Sequence, residues 1–183
     1  MKFNLLHRVR NKIKVDKSSN ILIGKNFKMS GCKVLISGKN NSLSFGDEIR
    51  LRDVFIQIIG DNCSITVGSG SVIGRGSYIS AREQNISLTI GKSCGFSRNV
   101  KIMTSDGHPI YKEGVRINEA KNITIEDDVW IADNVTILKG VTIGRGSVVG
   151  INSTVVKNIP KESVAVGNPA KVVKENITWQ DKF

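Results

Sequence analysis

Aliphatic side chains recur at every sixth position over long stretches of this chain. One series runs through Ile125, Ile131, Ile137, Ile143, Val149 and Val155. An earlier series is apolar at every position but one: Leu43, Ile49, Phe55, Asp61, Val67, Ile73 and Ile79. A helix would repeat about every 3.6 residues and a strand about every 2. A period of six therefore indicates a short strand followed by a tight turn, many times over.

Small residues often follow the repeated apolar position: Gly68, Gly74, Gly91, Ala132, Gly144 and Gly150. Such residues let the backbone turn sharply and lie close to a neighbouring segment. Stacked turns of this kind form a solenoid with a continuous apolar interior. The pattern therefore predicts an all-β solenoid, with its apolar series pointing inward.

The repeat is interrupted at 82–87 and, over a longer stretch, at 103–122. Long loops inside a compact repeat are usually functional or disordered. The longer break contains His108, whose imidazole would be a suitable general base for a hydroxyl group. Asp106 could orient that ring or could instead cap the local turn. The second histidine, His7, lies in a basic segment, and we expect it at the surface.

The chain carries 27 Lys and Arg against 16 Asp and Glu, a net charge of +11. This surplus favours a polyanionic partner: nucleic acid, an anionic membrane, an acidic polysaccharide or a phosphate-rich cofactor. It is also compatible with a merely solubilising surface. The three cysteines, Cys32, Cys63 and Cys94, are odd in number and lack metal-ligand spacing. We expect buried, reduced thiols, with no disulfide and no metal site.

The first residues form a weakly amphipathic, basic segment. We divide the chain into this N-terminal segment (1–20), the repeat domain (21–165) and a C-terminal tail (166–183). The segment could cap the end of the solenoid or contact a membrane surface. No apolar run is long enough for a transmembrane helix.

The region from 65 to 179 contains an ordered series of motifs: SDGHPIY (105–111), RIN (116–118), ITIEDDVWI (123–131), ILKGV (137–141), GNPAK (167–171) and NITW (176–179). The series resembles the sugar O-acetyltransferase branch of the hexapeptide-repeat acetyltransferases, including those of capsule and O-antigen clusters. This resemblance implies a left-handed parallel β-helix with an extended active-site loop at about 103–122. We also expect a short C-terminal helix. The family is homotrimeric, and its acetyl-CoA lies in a groove between neighbouring subunits.

The resemblance also implies roles for individual residues. His108 would be the general base, with Asp106 beside it. We expect a group that contacts the acceptor or orders its site: Arg82, Asn85, Tyr111, Arg116, Asn118 and Trp130. A second group would bind acetyl-CoA, its lysines on the phosphates: Asp133, Ile151, Val156, Lys157, Lys171 and Lys174. No metal is required by this chemistry.

We therefore expect an acetyl-CoA-dependent O-acetyltransferase that acts on a sugar hydroxyl in capsule or lipopolysaccharide synthesis. It would be cytoplasmic, could touch the inner face of the membrane through its N-terminus, and would have no nucleic acid partner. One alternative is an acetyltransferase for a small amine or amino sugar. An alternative of another class is a non-enzymatic β-helix, which should carry a flat, regular and often Thr-rich face. A zinc enzyme on this fold would need three histidine ligands, and the chain has two histidines.

Overall fold

The computed structural model describes residues 3–180. The elements in chain order are α1 (Leu5–Arg10), β1 (Lys12–Val15), β2 (Asn20–Ile23), β3 (Lys28–Ser30), β4 (Lys33–Ser37), β5 (Ser42–Phe45), β6 (Arg50–Arg52), β7 (Phe55–Asp61), β8 (Ser64–Val67), β9 (Val72–Ile73), β10 (Tyr78–Gln84), β11 (Ser87–Ile90), β12 (Gly95–Phe96), β13 (Lys101–Met103), β14 (Tyr111–Lys112), β15 (Val115–Arg116), β16 (Ile123–Ile125), β17 (Trp130–Ile131), β18 (Thr136–Leu138), β19 (Thr142–Ile143), β20 (Val148–Val149), β21 (Thr154–Val155), β22 (Val164–Gly167) and β23 (Ala170–Lys174).

Successive strands enter three sheets in rotation, so the chain winds as a three-sided solenoid. Sheet A has the order β1-β4-β7-β10-β13-β18-β21, sheet B β19-β16-β11-β8-β5-β2, and sheet C β23-β22-β20-β17-β12-β9-β6-β3. The pairings within these sheets are parallel except for β22 with β23. A turn of solenoid thus pairs with the turn before and after it, as the sequence period predicts.

The interior is a stack of aliphatic side chains in register. Ile102, Ile137 and Val155 pair across adjacent strands of sheet A, and all three are fully buried. The whole series from Ile125 to Val155 is buried as predicted. Each such side chain contributes about 1.5–3 kcal/mol of hydrophobic stabilisation.

The earlier series does not keep the predicted period. Phe55 is half-buried on the outer side of β7, and its neighbour Ile56 is in the core. The reason is coil length: contacts between adjacent coils join residues 22 or 23 apart near the N-terminus but 18 apart near the C-terminus. A coil of 22 or 23 residues is not a whole number of six-residue steps. Counting by six therefore assigns Phe55 to the core, although it lies on the outer side of its strand.

Corner positions are occupied by residues that tolerate left-handed backbone. Asn99, Asn134 and Asn152 have φ of 58°, 59° and 57°, and asparagine is among the few non-glycine residues that adopt this region readily. Their side-chain amides donate to one another at 3.1 and 3.0 Å from coil to coil. This ladder fixes the corner between sheets C and A.

Both ends differ from the sequence expectation. Strand β1 begins at Lys12, inside the segment assigned to 1–20, and His7 is half-buried between the rings of Phe3 and Phe27 rather than solvated. The predicted short C-terminal helix is wrong: the chain turns at Asn168 and Pro169 and returns as β23, antiparallel to β22. The open hydrogen-bonding edge of sheet C pairs with this segment. Residues 1–2 and 181–183 lie outside the described part.

The three cysteines are free and buried, as expected. Side chains one coil earlier accept hydrogen bonds from their backbone N–H groups: Asn11 for Cys32, Asn41 for Cys63 and Ser71 for Cys94, at 2.8–3.0 Å. Burial raises the pKa of the Cys94 thiol to about 11. Within residues 3–180 there is no helix long and apolar enough to cross a membrane.

Candidate active site

The long break in the repeat is an ordered excursion at the corner between sheets A and B. Its base is closed where Lys121 N–H donates to the Thr104 carbonyl at 3.0 Å. Within it, β14 and β15 form a small antiparallel hairpin. The turn residues Glu113 and Gly114 both have positive φ, which is the requirement of a tight two-residue hairpin turn.

A buried asparagine holds the excursion in shape. Asn118 is 7% exposed, and its amide NH2 donates to the His108 carbonyl at 2.8 Å and to an Asp106 carboxylate oxygen at 2.9 Å. Its amide oxygen accepts from Ile110 N–H at 2.6 Å. A single side chain therefore fixes the backbone that follows the candidate base and contacts the Asp106 carboxylate that precedes it.

Two ion pairs flank this asparagine. The Lys139 ammonium donates to Asp106 at 2.5 Å and to the Asn118 carbonyl at 2.9 Å. This ammonium is the main cause that lowers the pKa of the Asp106 carboxyl, with Asn118 adding to it against the effect of burial. The sequence assigned Asp106 two alternative roles, and the structure places it on Lys139 and Asn118. The His108 imidazole has no hydrogen-bond partner among the described residues.

The second pair joins the excursion to the shorter break. Arg116 donates to Glu83 at 2.7 Å, and Ser105 donates to the same carboxylate oxygen at 2.7 Å. Burial raises the pKa of Glu83, but these hydrogen bonds outweigh burial and the net pKa is lowered. Arg82 lies alongside, since its guanidinium is within 3.6 Å of the position that a Cβ on Gly107 would take. The two breaks in the repeat are therefore one structural unit.

The remaining acceptor candidates on this unit differ in exposure. His108 and Tyr111 are exposed on the excursion. Asn85 occupies a left-handed corner position and accepts from the amide of Asn62 at 3.2 Å, so its side chain is part of the corner. The excursion also exposes apolar side chains: Ile110, Tyr111, Val115 and Ile117 are each more than half exposed.

A second group of candidates lies at the corner between sheets C and A. Trp130 is 41% exposed, with its ring 6.0 Å from that of Trp179. Trp179 is anchored by an indole N–H that donates to the Asp128 carbonyl at 2.6 Å. Asp133 makes a two-pronged ion pair with Arg98, and Ile151 is exposed beside it.

The four other cofactor candidates are exposed. Val156 and Lys157 follow β21, whereas Lys171 and Lys174 lie on β23. The exposed positions leave their side chains available to a ligand.

A single chain does not bring the two groups together. Asp133 precedes β18 and Lys139 follows it, so opposite ends of the strands of sheet A separate them. The His108 unit and the Trp130 corner therefore lie on two opposite edges of the same sheet.

Several residues of this arrangement were not anticipated from the sequence. Glu83, Lys139 and Arg98 are long charged side chains whose partners are 33 to 35 residues away. Lys139 lies within the ILKGV motif (137–141), but only the stacking of coils brings its ammonium group to Asp106. Within residues 3–180 no cluster of potential metal ligands is present.

Comparison with known proteins identifies the family. Residues 122–157 match the bacterial transferase hexapeptide (six repeats) model. A polysialic acid O-acetyltransferase of Neisseria meningitidis is 34% identical over 172 residues, which cover 92% of this chain and 79% of that protein. The chain belongs to the hexapeptide-repeat acetyltransferases.

Two further comparisons support the same family assignment. A polysialic acid O-acetyltransferase of Escherichia coli O1:K1 / APEC is 44% identical over 120 residues, which cover 62% of this chain but only 39% of that protein. The crystal structure of the polySia specific acetyltransferase NeuO superposes with a TM-score of 0.74 at 33% identity, covering 90% of this chain and 86% of that one. The left-handed parallel β-helix expected from the sequence is confirmed.

Proposed function

We propose that this hexapeptide-repeat acetyltransferase transfers an acetyl group from acetyl-CoA to a hydroxyl of an acidic polysaccharide in capsule or lipopolysaccharide synthesis. The observation that carries the proposal is the exposed imidazole of His108 on a backbone locked by Asn118. Similarity to two polysialic acid O-acetyltransferases and the net charge of +11 favour an acidic acceptor.

In the proposed mechanism His108 removes the proton from the acceptor hydroxyl while the oxygen attacks the thioester carbon. The tetrahedral intermediate collapses, the CoA thiolate leaves, and the imidazolium returns the proton to it. A backbone N–H would stabilise the oxyanion. Direct transfer fits the burial of the cysteines, because a thiol with a pKa of about 11 is a poor nucleophile near neutral pH.

We propose that a homotrimer completes the site. The outer side of sheet A carries half-buried apolar and aromatic side chains among polar ones: Leu35, Phe55, Ile59, Tyr78, Met103 and Leu138. If three copies face one another through sheet A, the His108 unit of one copy lies next to the Trp130 corner of the next copy. Closed symmetry would repeat that junction at every interface. The apolar surface around His108 would then be covered by the neighbour.

In this trimer acetyl-CoA would lie along the Trp130 edge, near Asp133, Ile151 and Val156. Lys157, Lys171 and Lys174 would meet the CoA phosphates. Exposed charge contacts are worth about 1 kcal/mol or less each, so we expect the three lysines to act together. The triple alanine variant should raise the KM for acetyl-CoA, while an unchanged KM would assign the phosphates to another place.

The N-terminal helix supports a cytoplasmic location at the inner face of the membrane. Leu5, Leu6 and Val9 are more than half exposed, and Arg8 and Arg10 lie in the same helix. An exposed apolar and basic surface of this kind can rest on anionic lipid.

One observation favours a second, non-enzymatic function. The outer side of sheet B presents hydroxyls in register on adjacent strands: Ser44, Thr66, Thr89, Thr124 and Thr142. This is the flat, Thr-rich face that a binding or structural β-helix would use. Membership of an acyltransferase family and the ordered His108 unit favour the enzyme.

The deciding experiment incubates the protein with acetyl-CoA and a panel of neutral, acidic and amino sugars, and follows thiol release together with product mass. His108→Ala should lose about two to four orders of magnitude in rate with an unchanged fold. Transfer by His108→Ala at the parent rate would refute the mechanism. Acetylation confined to amines would favour the amino-sugar alternative, and no transfer at all would favour the non-enzymatic one.

Mixing two inactive variants tests the shared site. Refolded mixtures of His108→Ala and Trp130→Ala chains should regain part of the activity, because some interfaces would combine an intact His108 with an intact Trp130. Activity that never returns, in trimers that do mix, would contradict a site built from two chains.

A further inference from the structure

A large groove lies on sheet C, far from the His108 edge. It has a volume of 810 Å³ and is walled on one side by α1. Its floor contains Met29, Leu51 and Ile73, and all three are buried. Six cationic residues line it, and we call this the basic groove: Arg10, Lys28, Arg50, Arg52, Arg75 and Arg98.

Most of these charges have no counter-ion. Arg75 pairs with Asp53 at 3.4 Å and Arg98 pairs with Asp133. The other four have no ion-pair partner within residues 3–180. Strand register places Lys28 directly beside Arg50, about 4.8 Å apart along the solenoid. Like charges on adjacent strands are unfavourable, and a bound polyanion would relieve that repulsion.

The basic groove is continuous with the Trp130 edge. The outward positions of sheet C align Lys28, Arg50, Val72, Gly95 and Trp130 on successive strands. Three strand spacings, about 14 Å, separate Arg50 from Trp130. Gly95 lies at the far end, where the Trp179 ring packs over it, within 3.9 Å of the position that a Cβ would take.

We propose that the basic groove binds an anionic stretch of the polysaccharide acceptor and directs the chain along sheet C to the tryptophan pair. This inference rests on the proposed function, because the acceptor is taken to react beside Trp130. Aromatic rings stack on the apolar faces of sugar rings, and the cationic side chains of the groove pair with carboxylates spaced along a polysaccharide. A flat membrane surface is a poorer match, because α1 and the sheet enclose a concave floor.

The test uses the full-length protein and compares two triple variants that lose the same charge. Lys28→Ser/Arg50→Ser/Arg52→Ser alters the basic groove. Lys17→Ser/Lys39→Ser/Lys161→Ser is the matched control, on exposed residues outside the basic groove and outside the strands of sheet A. Affinity electrophoresis measures binding to polysialic acid, hyaluronan and neutral dextran. The groove variant should bind at least one acidic chain roughly tenfold more weakly than the parent, from three contacts of about half a kcal/mol each. The control should bind like the parent.

Catalysis gives a second readout. In the groove variant the KM for a long acidic acceptor should rise, while kcat and the KM for acetyl-CoA should stay at parent values. Equal binding by parent and groove variant, equal loss in both triple variants, or no binding of any acidic chain by the parent would overturn the proposal. Groove-dependent binding to phosphatidylglycerol vesicles but not to the polysaccharides would also overturn it, in favour of a membrane.

The same experiment separates this inference from the proposed function. His108→Ala should bind the acidic chain like the parent although it transfers no acetyl group. A protein that binds the chain through the groove yet acetylates no sugar would refute the proposed function alone.

Discussion

Replacing Asn118 by alanine should disorder the surroundings of His108 without unfolding the solenoid. The change removes the acceptor for Ile110 N–H and the donors to Asp106 and the His108 carbonyl. The β-helix core does not depend on these bonds, because its strands pair between coils through their own backbone. The effect should therefore be confined to residues 103–122.

The magnitude follows from the three shorter of the lost hydrogen bonds, since the fourth, donated by Arg116 Nε–H, is long at 3.5 Å. At about 1 kcal/mol net for each bond, the ordered form of the excursion loses about 3 kcal/mol, a factor of roughly a hundred in its opening equilibrium. Misplacement of a catalytic group by about 1 Å can cost a similar factor in rate. We therefore expect kcat/KM to fall between roughly tenfold and a hundredfold.

Three measurements test this prediction. Hydrogen exchange of the Ile110 amide reports the order of the excursion, thermal unfolding reports the stability of the solenoid, and steady-state acetyl transfer reports the rate. Asn122→Ala is the matched control, because Asn122 lies near the base of the same excursion and accepts one bond, from Ser87 N–H at 2.9 Å. Protection of the Ile110 amide should collapse in Asn118→Ala alone, with the melting temperature nearly unchanged. Parent-like protection and parent-like rate in Asn118→Ala would refute the assignment of Asn118 as the lock.

Three further predictions concern pH, packing and thiol chemistry. Because the pKa of Asp106 is lowered in the folded protein, its contribution to loop order is complete above the ordinary carboxyl pKa of about 4 and is lost as the pH falls through the lower folded value. The amides of residues 103–122 should therefore stay protected from hydrogen exchange between pH 7 and about pH 4, whereas in Lys139→Met they should lose protection at a higher pH. Identical pH profiles for the two proteins would contradict the Asp106–Lys139 ion pair. Gly60→Ala should destabilise the protein by roughly 2–4 kcal/mol in denaturant titrations, since an added Cβ collides with the Glu83 carbonyl; a neutral effect would mean that this corner can shift. Iodoacetamide at pH 8 should leave activity intact and label no cysteine before unfolding, because all three thiols are buried; rapid labelling of Cys94 would disprove its burial.

The sequence by itself determined the architecture and the position of the long excursion that carries His108. The step of six from Ile125 to Val155 predicts the solenoid, because each coil must bury one apolar residue per side against its neighbours. The interruption at 103–122 predicts where the chain leaves the solenoid, because its residues do not fit the step of six.

Only the tertiary structure decided which side chains meet. The ion pairs between neighbouring coils join residues 33 to 35 apart in the chain, as with Lys139 to Asp106 and Arg98 to Asp133. Coil length sets those pairings, and it changes from 22 or 23 residues to 18 along the solenoid. The longer N-terminal coils also place Phe55 on the outer side of its strand. The column from Lys28 to Trp130 likewise exists only because strands far apart in sequence stack in register, which no local pattern encodes.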